Sequence, residues 1–191
     1  MDSSGKPAVI VVDMLVDNVH GPEHWGITAQ ARAIIPEINQ LLAAAHRRGW
    51  PVIFANDSFL AKDFIFGGRM KPHCLRGTPG AEVIPELSRR AEDMVLPKRR
   101  LSAFFKTDLD QTLRTLGVDR VLVAGISTCF CVLATALDAL SHDLAATIVE
   151  DCCAAPTPEA HLASLSCYRK NALQPLFEIK TREQVLAELA G

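Results

Sequence analysis

Asp13, Lys98 and Cys131 each follow a short strand-like run: AVIVV leads into Asp13, DMVLP into Lys98, and RVLVAG into the turn that delivers Cys131. An acid, an amine and a thiol are the parts of nucleophilic catalysis by cysteine, in which a base removes the thiol proton and a cation keeps the two negative groups together. Asp13 stands directly after β-forming residues, where partial burial suits a carboxylate to work as a general base. Cys131 follows Gly125-Ile126-Ser127-Thr128, a strand-to-helix turn in which Ser127 or Thr128 can cap the next helix. A thiol in that first turn meets the positive end of the helix dipole and backbone N–H groups, which favour a thiolate and can hold an oxyanion. Each residue has a plainer reading: Cys131 as a small core side chain, Asp13 as a turn residue, Lys98 with Arg99 and Arg100 as a solvated basic patch. The three together are more specific than any one of them.

Bringing together residues 118 positions apart, from 13 to 131, requires a scaffold. Runs near 8–12, 51–55, 93–96, 120–125, 145–149 and 176–179 read as strands. Amphipathic stretches near 29–48, 80–90, 108–116, 130–141, 158–172 and 182–190 read as helices. This alternation predicts βαβ units in a single α/β domain over residues 1–191, a Rossmann-like three-layer α/β/α sandwich around a mainly parallel six-stranded sheet. Ligands of such sheets bind beyond the carboxyl ends of the strands, where the three reactive residues fall. Gly49, after His46, Arg47 and Arg48, is a strong helix stop. The stretch from Asn56 to about Pro79 carries Phe59, Phe64, Phe66, His73 and Cys74, and reads as a long loop that lines a substrate pocket.

A net charge of −2 with interspersed signs predicts no nucleic-acid or membrane partner and a small-molecule substrate. No leader or spanning segment is legible, so a cytoplasmic protein is expected. The six cysteines are expected to be reduced thiols, with Cys152 and Cys153 as small buried residues. Cys129-Phe130-Cys131 lacks a second ligand pair for a zinc finger. Leu15 stands where an aspartyl-phosphate enzyme would place its second acid. No Gly-x-Ser-x-Gly elbow and no dinucleotide glycine fingerprint is present. His20, His24, His46, His142 and His161 read as surface or capping residues.

IVVDMLVD, RGTPGAEVIPEL, KRRLSAFFKTDLD and GISTCFCVLATALDAL together resemble the isochorismatase-like cysteine hydrolases, which include nicotinamidases and N-carbamoylsarcosine amidases. The likeness runs in order from about residue 8 to 155. It implies hydrolysis of a small amide or carbamoyl compound through a thioester, with Asp13, Lys98 and Cys131 as the triad. It also implies that Cys129 occupies a position usually held by another polar residue and is not the nucleophile. A cis Ile126–Ser127 bond follows from the same resemblance, aiming the N–H groups of Ser127 and Cys131 at an oxyanion. The alternatives are a nicotinamidase, a vinyl-ether hydrolase of the isochorismatase type, which would lack the cysteine, and a non-catalytic binding module. Metal-binding nicotinamidases carry Asp-x-His after the second strand; this chain keeps Asp57 and His73 but has Phe59 at the first histidine. No metal or other cofactor is therefore expected. Phe59, Phe104 and Trp25, with Phe105, are the expected substrate contacts, and a homodimer or homotetramer is expected from the resemblance.

Overall fold

The computed structural model describes residues 6–22 and 26–189. Six strands, β1 (Lys6–Val12), β2 (Val52–Asp57), β3 (Met94–Lys98), β4 (Val118–Ile126), β5 (Ala145–Ala154) and β6 (Phe177–Lys180), form one sheet in the order β3-β2-β1-β4-β5-β6. All five strand pairs are parallel. The chain winds outward through β2 and β3, then returns to the other side of β1 with β4. That reversal creates a crevice at the carboxyl ends of β1 and β4, the usual ligand position in open α/β sheets.

Both sheet faces are covered, which is why β1 reads as a continuous apolar run. Ala8, Ile10 and Val12 pack with Leu109 and Leu113 of α4 (Leu109–Thr115), Ala136 and Ala139 of α5 (Leu133–Ser141) and Leu165 of α6 (Pro158–Ser166). Val9 and Val11 face the other way, onto Ala31 of α2 (Ile27–Ala33), Ile38, Leu41 and Leu42 of α3 (Ile35–Arg48) and Val185 of α7 (Arg182–Glu188). The period-two alternation of side chains divides one strand between two cores.

Three expected helices differ. The stretch 29–48 is two helices that meet at Ile34, because Pro36 sits in the first turn of α3 and lacks the N–H that would continue α2. The expected helix over 158–172 ends at Ser166. The expected helix over 80–90 does not form: only Pro79–Ala81 make a 3-10 turn. Its backbone bonds instead to the segment after β1, with Val16 N–H donating to Glu82 O (3.0 Å), Ile84 N–H to Met14 O (3.2 Å), and Leu15 bridging Val83. Gly80 packs so closely on the Asp17 carboxylate that a Cβ has no room. Among the described residues no helix is long and apolar enough to cross a membrane.

Candidate active site

Val12 is in register with Ala55 of β2 and Gly125 of β4, so Asp13 emerges at the crevice one residue later. Its backbone turns there through φ 55°, a left-handed conformation that aspartate tolerates better than most residues. Asp13 N–H donates to Ala55 O (3.1 Å), and Asp13 O accepts from Asn18 Nδ2 (2.9 Å), so the turn is tied on both sides. Asp57 and Lys98 are register partners at the ends of β2 and β3. Gly125 allows β4 to run close beside β1: at φ 106° its missing Cβ would collide with Val12 O. Beyond it the Ile126–Ser127 bond is cis, and Thr128–Val132 form one π-helical turn that leads into α5.

These elements place one ammonium among three acidic groups. Lys98 Nζ donates to Asp13 Oδ2 (2.9 Å), Asp57 Oδ1 (2.5 Å) and Arg100 O (3.2 Å), and lies 3.5 Å from Cys131 Sγ. Asp13 is 3 % exposed, Lys98 1 % and Cys131 8 %, so their charges interact with little screening by water. Asp13 Oδ1 accepts from Asp57 N–H (2.8 Å), which fixes the carboxylate and leaves Oδ2 toward Lys98. Burial opposes the charge on Lys98, but Asp13, Cys131 and Asp57 outweigh it and hold the ammonium well above its ordinary range. Burial first, then the Asp13 charge, pushes the Cys131 thiol well up, against Lys98. Burial and the Asp13 charge thus work against the helix dipole and the Lys98 cation at this sulfur.

Asp57 is the partner that sequence reasoning missed. It was legible as a second acid at a strand end, but its place in an Asp-x-His pattern drew attention to metal ligation alone. Burial and then Asp13 push its carboxyl up to about 7, with Lys98 opposing. A folded-state value above the unfolded value of about 4 means a contribution to stability that is complete below that lower value and lost as pH rises through about 7. Asp57→Asn is expected to flatten the fall in melting temperature between about pH 4 and 7. A slope identical to that of the native protein would mean that Asp57 is ionised throughout.

The residues here do not suit a divalent metal. Asp13, Asp57 and Cys131 bring donor atoms within 4.8 Å of one another, yet the Lys98 ammonium already bonds into that triangle and would repel a second cation. Phe59 is buried, with its ring 5.1 Å from Phe66 and 5.9 Å from His73, so an aromatic cluster replaces an imidazole ligand. His73 Nδ1 donates to Lys71 O (2.8 Å).

Other expected contacts vary. Ser127 adjoins Cys131 through the π turn, and Ser127 Oγ is 3.2 Å from Cys129 Sγ, whereas Cys131 Sγ is the sulfur that meets Lys98. Phe104 is buried in the same core cluster as Cys131, and its ring stacks on His142 at the end of α5, 4.9 Å between centroids. Phe105, one residue on, is half exposed and lines a cleft beside Lys98. Trp25 and His24 lie outside the described residues. His161, expected as a surface or capping residue, shares a 2.9 Å hydrogen bond with Thr128 Oγ1 in the turn that carries Cys131, and burial lowers its proton affinity. His46, read as a surface or capping residue, lies in the last turn of α3, where its Nε2 donates to buried Asp93 at 2.9 Å.

With this geometry in place, comparison with known proteins is decisive on family. The model of the isochorismatase domain matches residues 7–177. The chain belongs to the isochorismatase family. Within that family it is 31 % identical to a probable inactive nicotinamidase of Arabidopsis thaliana, over 83 % of this chain and 85 % of the relative. It is 31 % identical to the maleamate amidohydrolase of Pseudomonas putida, over 84 % of this chain and 78 % of the relative. The crystal structure of an N-carbamoylsarcosine amidase from Thermoplasma acidophilum superposes with a TM-score of 0.77 and 33 % identity, covering 92 % of this chain and 96 % of that one. The six-stranded parallel sheet is thus the family's α/β fold.

Proposed function

We propose that this isochorismatase-family protein is a cysteine-dependent amidohydrolase that cleaves the C–N bond of a small amide or carbamoyl compound through a thioester. The observation that carries the reading is the single ammonium of Lys98 joining the Asp13 carboxylate at 2.9 Å and the Cys131 sulfur at 3.5 Å in a buried crevice. Asp13 takes the thiol proton as sulfur attacks the carbonyl carbon. The C=O π electrons move to oxygen, and the N–H groups of Ser127 and Cys131 stabilise that oxyanion. Collapse breaks the C–N bond; the leaving nitrogen takes the proton from Asp13 and departs as ammonia or an amine. Water then gives a proton to Asp13 and attacks the thioester, and the thiol leaves reprotonated with a carboxylic or carbamic acid as product. Lys98 stays an ammonium throughout, so the reaction needs no metal.

Support comes from the names of the relatives, a maleamate amidohydrolase and an N-carbamoylsarcosine amidase. A binding module without catalysis is favoured by one observation, the Arabidopsis relative described as inactive. Ammonia release across a panel of linear amides, carbamoyl compounds and nicotinamide, with and without chelator, separates the two. Chelator-insensitive release from at least one linear amide is expected; release from none would leave the binding module.

A further inference from the structure

Among the described residues, two side-chain hydrogen bonds tie the turn that carries Cys131 to other elements. One joins Cys131 Sγ to Lys98 Nζ (3.5 Å); the other joins Thr128 Oγ1 to His161 Nδ1 (2.9 Å). Thr128 opens the π turn directly after Ser127 and is fully buried. A hydroxyl in that position needs a partner, and among the described residues His161 is the one it has. His161 is itself held in place near the start of α6. The Thr157 side chain caps that helix by accepting from Ala160 N–H (3.1 Å), and the Thr157 carbonyl accepts from His161 N–H (3.1 Å). A capped helix thus brings an imidazole to the nucleophile turn.

The bond has a direction. Thr128 Oγ1 meets no other acceptor among the described residues, so the hydroxyl donates and Nδ1 accepts, which leaves the imidazole proton on Nε2. A doubly protonated ring has no lone pair to accept with, so the bond requires the neutral form. The surroundings favour that form: burial lowers the proton affinity of His161, Glu150 opposes, and Arg169 adds to burial. Glu150 and Arg169 also pair with each other, at 3.1 Å between Oε1 and Nη1, so their opposite effects on the ring offset. We propose that His161 is a positioning residue for the nucleophile: by accepting the Thr128 hydroxyl it fixes the start of the π turn, and so holds Cys131 Sγ against Lys98 and keeps the Ser127 and Cys131 N–H groups aimed at one oxyanion. It acts through Thr128 and not on the reacting atoms. The inference rests on the amidohydrolase reading above and adds a residue to its machinery. A sulfur and two backbone donors must share one geometry to within about 0.5 Å, and a turn that loses one of its two tethers is free to drift from it.

The test measures ammonia release from the best amide substrate by His161→Leu, His161→Asn and Thr128→Val, with kcat and KM read separately. Asparagine presents a side-chain oxygen near the place of Nδ1, whereas leucine offers no acceptor. His161→Leu is expected to lower kcat about 10- to 100-fold with KM within about threefold of native, and His161→Asn to recover kcat to within about threefold. Thr128→Val removes the same bond from the other side and is expected to cost as much. The double variant His161→Leu/Thr128→Val should then fall no more than about threefold below either single one. Native kcat in the leucine or valine variant, a loss confined to KM, an asparagine variant as slow as the leucine one, or losses that multiply in the double variant would overturn the assignment. Where His161→Leu does not fold, Thr128→Val carries the comparison with His161→Asn. The backbone amide resonances of Ser127 and Cys131 give a second readout that needs no turnover. They are expected to move in His161→Leu and to return toward their native positions in His161→Asn; both variants lack the imidazole ring, so the difference between them reports the hydrogen bond. Resonances that coincide in the two variants would remove the positioning role. A native protein that releases ammonia from no amide removes hydrolysis and leaves the resonances to decide on His161, whereas native release with kcat unmoved in the variants keeps hydrolysis and removes His161 from it.

Discussion

Replacing Cys131 by alanine is expected to reduce ammonia release from the best amide substrate by about 10⁵-fold or more, the loss typical of removing a covalent nucleophile. Cys129→Ala is expected to retain most of the activity. The contrast follows from placement: Cys131 Sγ is 3.5 Å from Lys98 Nζ, while Cys129 Sγ is engaged by Ser127 Oγ at 3.2 Å. The protonation state of sulfur gives the prediction a second, independent readout. Burial and then the Asp13 carboxylate push the Cys131 thiol well up, with Lys98 opposing. Once the proton passes to Asp13 that repulsion vanishes, and the thiolate faces a neutral acid and an ammonium. On the proposed mechanism the reactive state is reached by internal proton transfer and not by loss of a proton to water. Iodoacetamide, which offers no carbonyl to the oxyanion N–H groups in the right place, should modify Cys131 of the free protein more slowly than it modifies exposed Cys167 at pH 7. Full turnover by Cys131→Ala, or loss of turnover in Cys129→Ala, would reverse the assignment of the nucleophile.

The residues legible in the sequence were those whose role is set by a strand end. Asp13 and Cys131 follow the buried strands β1 and β4, Lys98 ends the half-exposed edge strand β3, and parallel winding puts all three at the carboxyl ends of the sheet. Asp57 carries the same signal after VIFAN, yet its bond to Lys98 depends on the register of β2 against β3, which no local pattern specifies. Phe104 and Phe105 show the same limit at finer scale. Two adjacent phenylalanines in a turn point to opposite sides, and which one meets the core is decided by packing against His142. Arg76, which lines the same cleft as Phe105, was unreadable for another reason. It sits in irregular chain, brought to the cleft because Phe59 N–H bonds Cys74 O (3.1 Å), Arg76 N–H bonds Phe59 O (2.8 Å) and Cys74 N–H bonds Asp17 Oδ2 (2.7 Å). The failed helix over 80–90 belongs here too. Its apolar spacing is real, since Ile84 and Leu87 are buried, but backbone pairing to residues 14–16 took the hydrogen bonds a helix would have used.

Lys98→Met is expected to damage the fold and the chemistry together, and the pH dependence of the damage distinguishes its electrostatic origin from a packing defect. Methionine keeps most of the length and the unbranched apolar stem of lysine but leaves Asp13 and Asp57 buried with no cation between them. Breaking a buried ion pair by removing one partner costs about 3–5 kcal/mol, which for a chain of this size lowers the melting temperature by roughly 6–20 °C at pH 8. Activity should fall by about 10³-fold or more, because the thiolate loses the charge that stabilises it. The sign with pH follows from the acids that remain. Without Lys98, which opposes the rise, the folded-state value of Asp57 moves further above the unfolded value of about 4, so the variant recovers stability as pH falls from 8 toward 5 and its deficit against the native protein narrows. A cavity or clash would give a deficit that does not depend on pH. Adding Asp57→Asn to Lys98→Met removes one of the two orphaned charges, so the double variant should melt above the single one although it carries more changes. It should remain as inactive, since the loss of the ammonium beside sulfur is not repaired. Melting curves followed by circular dichroism at pH 5 to 8 decide the matter: a Lys98→Met protein that melts like the native one at pH 8, or a deficit that widens in acid, would mean that the buried cluster is not held by charge.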